Sequence, residues 1–154
     1  MTDTPISNWT IERLLSDTKQ RANIIEESTI TANSDLQRDI FRGHGHVILF
    51  HRHHGTPVGH WIAMIQNKDT KQVYYFDPLG DDPYNKNIEK VVLKTYPEFL
   101  INDIPYQKQS SNSCGRHVVM VVALNKIGLT PEEIEKFLKD QVKDVDKYVI
   151  KNIR

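Results

Sequence analysis

The chain has 154 residues, a length that suits one domain with a real core, and its 20 Lys and Arg residues balance 20 Asp and Glu residues. A net charge of zero gives no electrostatic reason for general nucleic-acid binding. The single cysteine excludes an intrachain disulfide and a multi-cysteine zinc site, and fits a reducing compartment. No apolar run approaches the ~20 residues of a membrane span. Met1 to Pro5 show neither the basic start nor the apolar core of a signal peptide. A protein that is not secreted and does not engage a membrane is therefore expected.

In chain order, residues 7–20 read as an amphipathic helix, capped by Ser7 or Asn8, with Trp9, Ile11, Leu14 and Leu15 on its apolar face. Residues 22–42 are ambiguous, because Ile24, Ile25, Ile30, Leu36, Ile40 and Phe41 follow neither period. Gly43-His44-Gly45-His46 reads as a turn and Val47-Ile48-Leu49-Phe50 as a short buried strand. Residues 51–59 are a polar connection rich in Gly and Pro. A second strand over 60–65, a hairpin loop over 67–71 and a third strand over 72–77 follow. Pro78 ends the third strand, because it cannot donate to a sheet ladder. Residues 87–99 read as a helix weakened at its end by Pro97, and 101–106 as an edge strand. A helix is expected from Cys114 to Ile127, stopped by Gly128. Thr130-Pro131-Glu132-Glu133 is a helix start with a capping box, running to about Val142, and a last helix spans 144–152. The sum is an α+β fold: a small central, mostly antiparallel sheet flanked by helices.

The chemistry gathers at three places. His60 opens the second predicted strand, and Asp77 closes the third, seventeen positions later. That separation fits two strands of about six residues and a short loop, so the two ends are neighbours in an antiparallel hairpin. Cys114 follows a polar loop and precedes the apolar run Val118 to Leu124, which puts a thiol at the N-terminus of a buried helix. The partial positive charge and unpaired N–H groups there stabilise a thiolate. Together they make a nucleophile (Cys114), a base (His60) and an acid that orients the base (Asp77), a set recognised by geometry and role. An oxyanion would be held by the Cys114 N–H and a glutamine side chain, each such donor being worth about 3–4 kcal/mol. Gln107 and Gln109 are the candidates for that glutamine.

Gly59-His60-Trp61-Ile62-Ala63, Tyr74-Tyr75-Phe76-Asp77-Pro78-Leu79-Gly80 and Gln107 with Ser113-Cys114-Gly115 resemble the adenain-like cysteine peptidases, the family of the adenovirus maturation protease, and more broadly the SUMO-specific protease superfamily. Short relatives of this kind are encoded by virophages, Polinton-type elements and large DNA viruses. The resemblance covers residues 43–127 and implies one cysteine peptidase domain over 1–154 with the triad His60, Asp77 and Cys114. The acid is a glutamate in adenain and an aspartate in the SUMO-specific enzymes, as here. The adenain-like spacing of seven residues before the nucleophile selects Gln107 for the oxyanion hole, with Gln109 as the alternative; the SUMO-specific spacing of six falls on Lys108. Trp61, beside His60, is the candidate substrate-binding residue. The resemblance implies a protein substrate: capsid or core precursors cut at small, Gly-containing sites, or a ubiquitin-like protein. It places the chain in the virion and the host cytoplasm or viral factory. Adenain is stimulated by DNA and by a viral peptide linked through a second cysteine. With no second cysteine and no net charge, this sequence supports neither form of activation.

Rival readings remain. His44, His46, His51, His53, His54 and His60 crowd seventeen positions, and His51 and His53 could share a strand face over a metal. No carboxylate lies among them at a ligand spacing, so neither metal nor cofactor is expected. A non-catalytic binding module of the same fold is a second rival, against which the intact His60, Asp77 and Cys114 argue. Arg116 reads as a solvent-facing helix residue, and the helices after residue 128 as packing elements with solvated charges. Nothing demands more than a monomer.

Overall fold

The computed structural model describes residues 23–52, 59–102, 104–107, 114–141 and 144–153. The predicted first helix over 7–20 lies outside them, as do His53, His54 and Gln109. Among the described residues a five-stranded sheet runs in chain order: β1 (Ile24–Glu26), β2 (His46–Arg52), β3 (Gly59–Gln66), β4 (Val73–Phe76) and β5 (Phe99–Ile101). The three inner strands pair antiparallel, and the short outer strands β1 and β5 join parallel to β2 and β4. The architecture is the expected α+β one.

The inner strands are continuous apolar runs because both of their faces are covered. Alternation along each strand divides the core in two. Ile48, Trp61, Ala63, Ile65, Tyr74 and Phe76 pack under α2 (Cys114–Lys126), with Ile134, Leu138, Val145 and Val149 from the chain beyond it. Val47, Leu49, Ile62, Met64, Val73 and Tyr75 face α1 (Asn87–Leu93), through Ile88, Val91 and Val92, together with Leu36, Ile40 and Phe41. After α2 come α3 (Pro131–Lys136), which continues as a π-helical turn over Phe137–Gln141, and α4 (Val145–Asn152). The capping box is in place: Thr130 accepts from the Glu133 N–H, and Glu133 accepts from the Thr130 N–H.

Several boundaries differ from the sequence reading. The ambiguous 22–42 stretch holds β1 and a π-helical segment, Leu36–Phe41, capped by Asp35. Its buried residues fall at i, i+4 and i+5, which is why no 3.6-residue period was visible. Helix α1 stops at Leu93 rather than 99, since Pro97 disfavours helical backbone at the residue before it. The predicted edge strand 101–106 forms two residues earlier, at Phe99–Ile101. Strand β2 runs on to Arg52, because His51 and Arg52 find carboxylate partners in Glu27 and Glu26 instead of opening a loop. Arg116 is a correction: only 8% exposed, it is buried, because α2 is covered on all sides in its first turns. His117 is wholly buried, 3.7 Å from Asp146 of α4, so one charge of the terminal helices is not solvated. No helix among the described residues is long and apolar enough to cross a membrane.

Candidate active site

Antiparallel pairing brings the start of β3 to the end of β4, and the structure brings His60 and Asp77 together there. The His60 Nε2 N–H donates to Asp77 Oδ1 at 2.6 Å, with side chains 4% and 0% exposed. This geometry selects the tautomer. A neutral His60 carries its proton on Nε2, which makes Nδ1 the basic nitrogen of the ring. A carboxylate on one ring nitrogen orients the ring and opposes its charge to any positive charge that develops there.

Asp77 is itself held at four points. Its Oδ1 also accepts the Leu79 N–H at 2.9 Å, its carbonyl accepts the Gly80 N–H at 2.8 Å, and the Asn102 side chain brackets its main chain. Asn102 Oδ1 accepts the Asp77 N–H at 2.9 Å, and Asn102 Nδ2 donates to the Asp77 carbonyl at 2.7 Å. The amide of Asn102 thus continues the β4–β5 ladder beyond the last strand residue. Nothing in the local sequence announces this residue; it lies in a stretch that reads as edge strand.

Gly80 draws the 104–107 segment against the Asp77 turn. Its φ is +77°, and a Cβ there would lie 2.9 Å from the Pro105 nitrogen, so no side chain fits. The Pro78 carbonyl then accepts the N–H groups of both Tyr106 and Gln107, at 2.8 and 2.9 Å. Gln107 is buried, its main chain held on the residue that follows Asp77. Cys114 is the first residue of α2, the helix that packs across β3. Trp61 is 5% exposed and lies in the core under that helix, tilted against Phe50 at 4.6 Å between ring centres. Its ring is part of the core cluster between the sheet and α2. Phe50 also explains Gly59: a Cβ on Gly59 would stand 1.9 Å from the Phe50 ring.

A second imidazole–carboxylate pair flanks the first. His51 sits directly across the β2–β3 ladder from His60, and its Nδ1 is 2.8 Å from Glu27 Oε1. Tyr84 stacks on His51 at 3.8 Å, presents its edge to His60 at 6.5 Å and donates its hydroxyl to Asp81 at 2.6 Å. Burial, and then the bond to Asp81, push the Tyr84 phenol well above its ordinary pKa, so it stays protonated. Burial, and then the charges of Asp77 and Glu27, do the same to Tyr75. The crowded histidines are dispersed: His51 on Glu27, His60 on Asp77, and His44 beside His46 at 5.6 Å. Among the described residues no three His, Cys, Asp or Glu side chains are placed to hold a metal.

No family model matches the chain, and no curated protein matches it by sequence. Solved structures do match. The ASFV pS273R protease superposes with a TM-score of 0.62 at 14% identity, over 97% of this chain and 67% of that one, in its Se-Met form. A second structure of it gives 0.58 at 16% identity, over 97% and 66%. The chain has the fold of the ASFV pS273R protease. It spans about two thirds of that protein's length. The C-terminal Ulp1 protease domain, in complex with Smt3, the yeast orthologue of SUMO, superposes less closely: 0.48 at 13% identity, over 98% of this chain and 79% of that one.

Proposed function

We propose that this chain is a cysteine endopeptidase, a single peptidase domain in which Cys114 is the nucleophile, His60 the base, Asp77 the orienting acid and Gln107 the side-chain donor to the oxyanion. The observation that carries the reading is the buried 2.6 Å contact between His60 and Asp77, in a fold shared with a protease. The chain's one cysteine opens the helix that packs across the same strand as His60.

The chemistry runs as follows. His60 Nδ1 takes the Cys114 proton, and the thiolate, favoured at the helix N-terminus, attacks the scissile carbonyl carbon. The C–S bond forms, and the carbonyl π pair moves to oxygen, where the Cys114 N–H and the Gln107 amide receive it. The imidazolium, stabilised by Asp77, returns its proton to the leaving amine as the C–N bond breaks. A water, deprotonated by His60, then attacks the thioester; the tetrahedral intermediate collapses and frees the acid and Cys114.

The substrates are proteins: capsid or core precursors cut at small, Gly-containing sites during virion maturation, in the virion and the host cytoplasm. The sequence resemblance and the likeness in fold to the ASFV pS273R protease support this reading. The test is to incubate the full chain, and Cys114→Ala, with a peptide library and with a ubiquitin-like fusion ending in Gly-Gly. Cys114-dependent cleavage at Gly-containing library sites is the expected result. Cleavage of the fusion alone would transfer the assignment to ubiquitin-like conjugates, and no Cys114-dependent cleavage of either would overturn the enzyme reading.

A further inference from the structure

We infer that Glu135, on a helix that carries none of the reacting groups, is a positioning residue for Gln107. The inference rests on the oxyanion role proposed above for that glutamine. Glu135 is partly buried on α3 and accepts two phenol hydroxyls: Tyr74 donates to Oε1, and Tyr106 to Oε2 at 2.5 Å. Lys139, one turn along, stands 3.5 Å from Oε2. Bonds to an ionised acceptor are short and strong, so both phenols are held firmly.

The two phenols do different work. Tyr74 belongs to β4, and its bond ties α3 to the sheet. Tyr106 belongs to no strand or helix and immediately precedes Gln107. Its ring lies against Phe76 at 5.9 Å, and its N–H shares the Pro78 carbonyl with that of Gln107. Residue 106 is thus pinned at its hydroxyl, its ring and its main chain. Of the three, the hydroxyl bond comes from outside the sheet. The direction in which Gln107 leaves its main chain depends on that residue. A donor displaced by a fraction of an ångström loses the developing oxyanion while leaving the thiolate untouched.

The test compares two probes of Cys114. With iodoacetamide, the thiolate attacks the methylene carbon and iodide leaves with the bonding pair; no oxyanion arises. With a peptide aldehyde ending in glycinal, the sulfur adds to the carbonyl carbon and the π pair moves to oxygen. His60 then protonates that oxygen, giving a thiohemiacetal held where the oxyanion would be. For Tyr106→Phe and Glu135→Gln, aldehyde affinity is expected to fall about three- to tenfold, with alkylation within about twofold of wild type. Tyr74→Phe, which removes a hydroxyl from the same carboxylate, is expected to leave both probes unchanged, and Gln107→Ala to weaken only the aldehyde, by more. Thermal melts confirm that each variant is folded. Equal losses for Tyr74→Phe and Tyr106→Phe, or alkylation falling in parallel with aldehyde binding, would make Glu135 a structural staple and overturn the inference. If Gln107→Ala binds the aldehyde as wild type does, the oxyanion assignment itself fails and the inference falls with it.

Discussion

Replacing Asp77 separates its charge from its shape. In Asp77→Asn the side-chain oxygen keeps the Leu79 N–H, which donates to Oδ1 at 2.9 Å in the same turn. That oxygen therefore stays on His60 Nε2, and the imidazole keeps its tautomer. What is lost is the charge on the acceptor. A hydrogen bond to a charged group contributes about 1.5–3 kcal/mol and a neutral one about half of that. The imidazolium form should then lose about 1–1.5 kcal/mol, or about five- to tenfold at about 1.4 kcal/mol per decade. Asp77→Ala removes the whole bond and leaves a buried ring without its acceptor, which takes the loss to about tenfold to a hundredfold. The assay is the rate of Cys114 alkylation by iodoacetamide, with every adduct reporting on one thiol. Measured near about pH 6, below the free-thiol range of about 8.5, the rate follows the thiolate–imidazolium population; well above that range all variants converge. The order expected at low pH is wild type, then Asn, then Ala. Asn reacting as fast as wild type, or Ala no slower than Asn, would refute the argument that the buried carboxylate stabilises the imidazolium.

Three further outcomes follow from the same geometry. Asn102→Ala strips two main-chain partners from Asp77, so it should cost about 2–4 kcal/mol in denaturant melts and slow low-pH alkylation as the Asp77 variants do. Gly59→Ala drives a methyl into the Phe50 ring and should cost about 1–3 kcal/mol, a loss that shrinks in the Gly59→Ala, Phe50→Ala double variant relative to the sum of the singles. In alkaline titration followed by tyrosine absorbance, Tyr75 and Tyr84 should ionise only on unfolding. The sign is set by the raised folded pKa values. Below about pH 10 both states hold the proton and stability is level; above it the unfolded chain releases the proton and the folded chain does not. Stability should then fall, with Tyr75 alone contributing about 1.4 kcal/mol per pH unit. Normal ionisation of all six with the fold intact would contradict the burial of Tyr75.

Much of the sheet was legible because its inner strands carry their own punctuation. β3 starts at Gly59, just after Pro57, and β4 ends at Phe76, two residues before Pro78, so the hairpin and its register follow from local chemistry. Helices α2 and α3 were legible for the same reason, the first from its apolar run and the Gly128 stop, the second from its Thr130 capping box. The outer parts were not. β1 and β5 are three residues each and exist because a neighbouring strand offers a parallel edge, a tertiary fact with no local period. The π-helical segment hid its buried face from any search at 3.6 residues.

The same division runs through the site. His60 and Asp77 could be paired from sequence because each stands at a strand end, and one hairpin closes the distance between them. The side chains that brace Asp77 and its surroundings could not. Asn102 reaches Asp77 from 25 positions away, and Glu135 reaches Tyr106 from 29. Glu27 reaches His51 from 24. Asn102 does so by replacing main-chain bonds that a longer strand would have supplied. The sheet is short just where the chemistry sits, and its ladder stops at Phe76, one residue before Asp77. A carboxylate placed one residue further in would be an ordinary strand position, with its main chain fixed and its side chain turned by the pleat to a set face. Placed at the end, it is free to take the turn that lets Oδ1 serve both Leu79 and His60, and it needs Asn102 to hold it there. Precision at the end of a strand therefore depends on borrowed amides, and these are the residues whose replacement should injure the chemistry without touching a reacting atom.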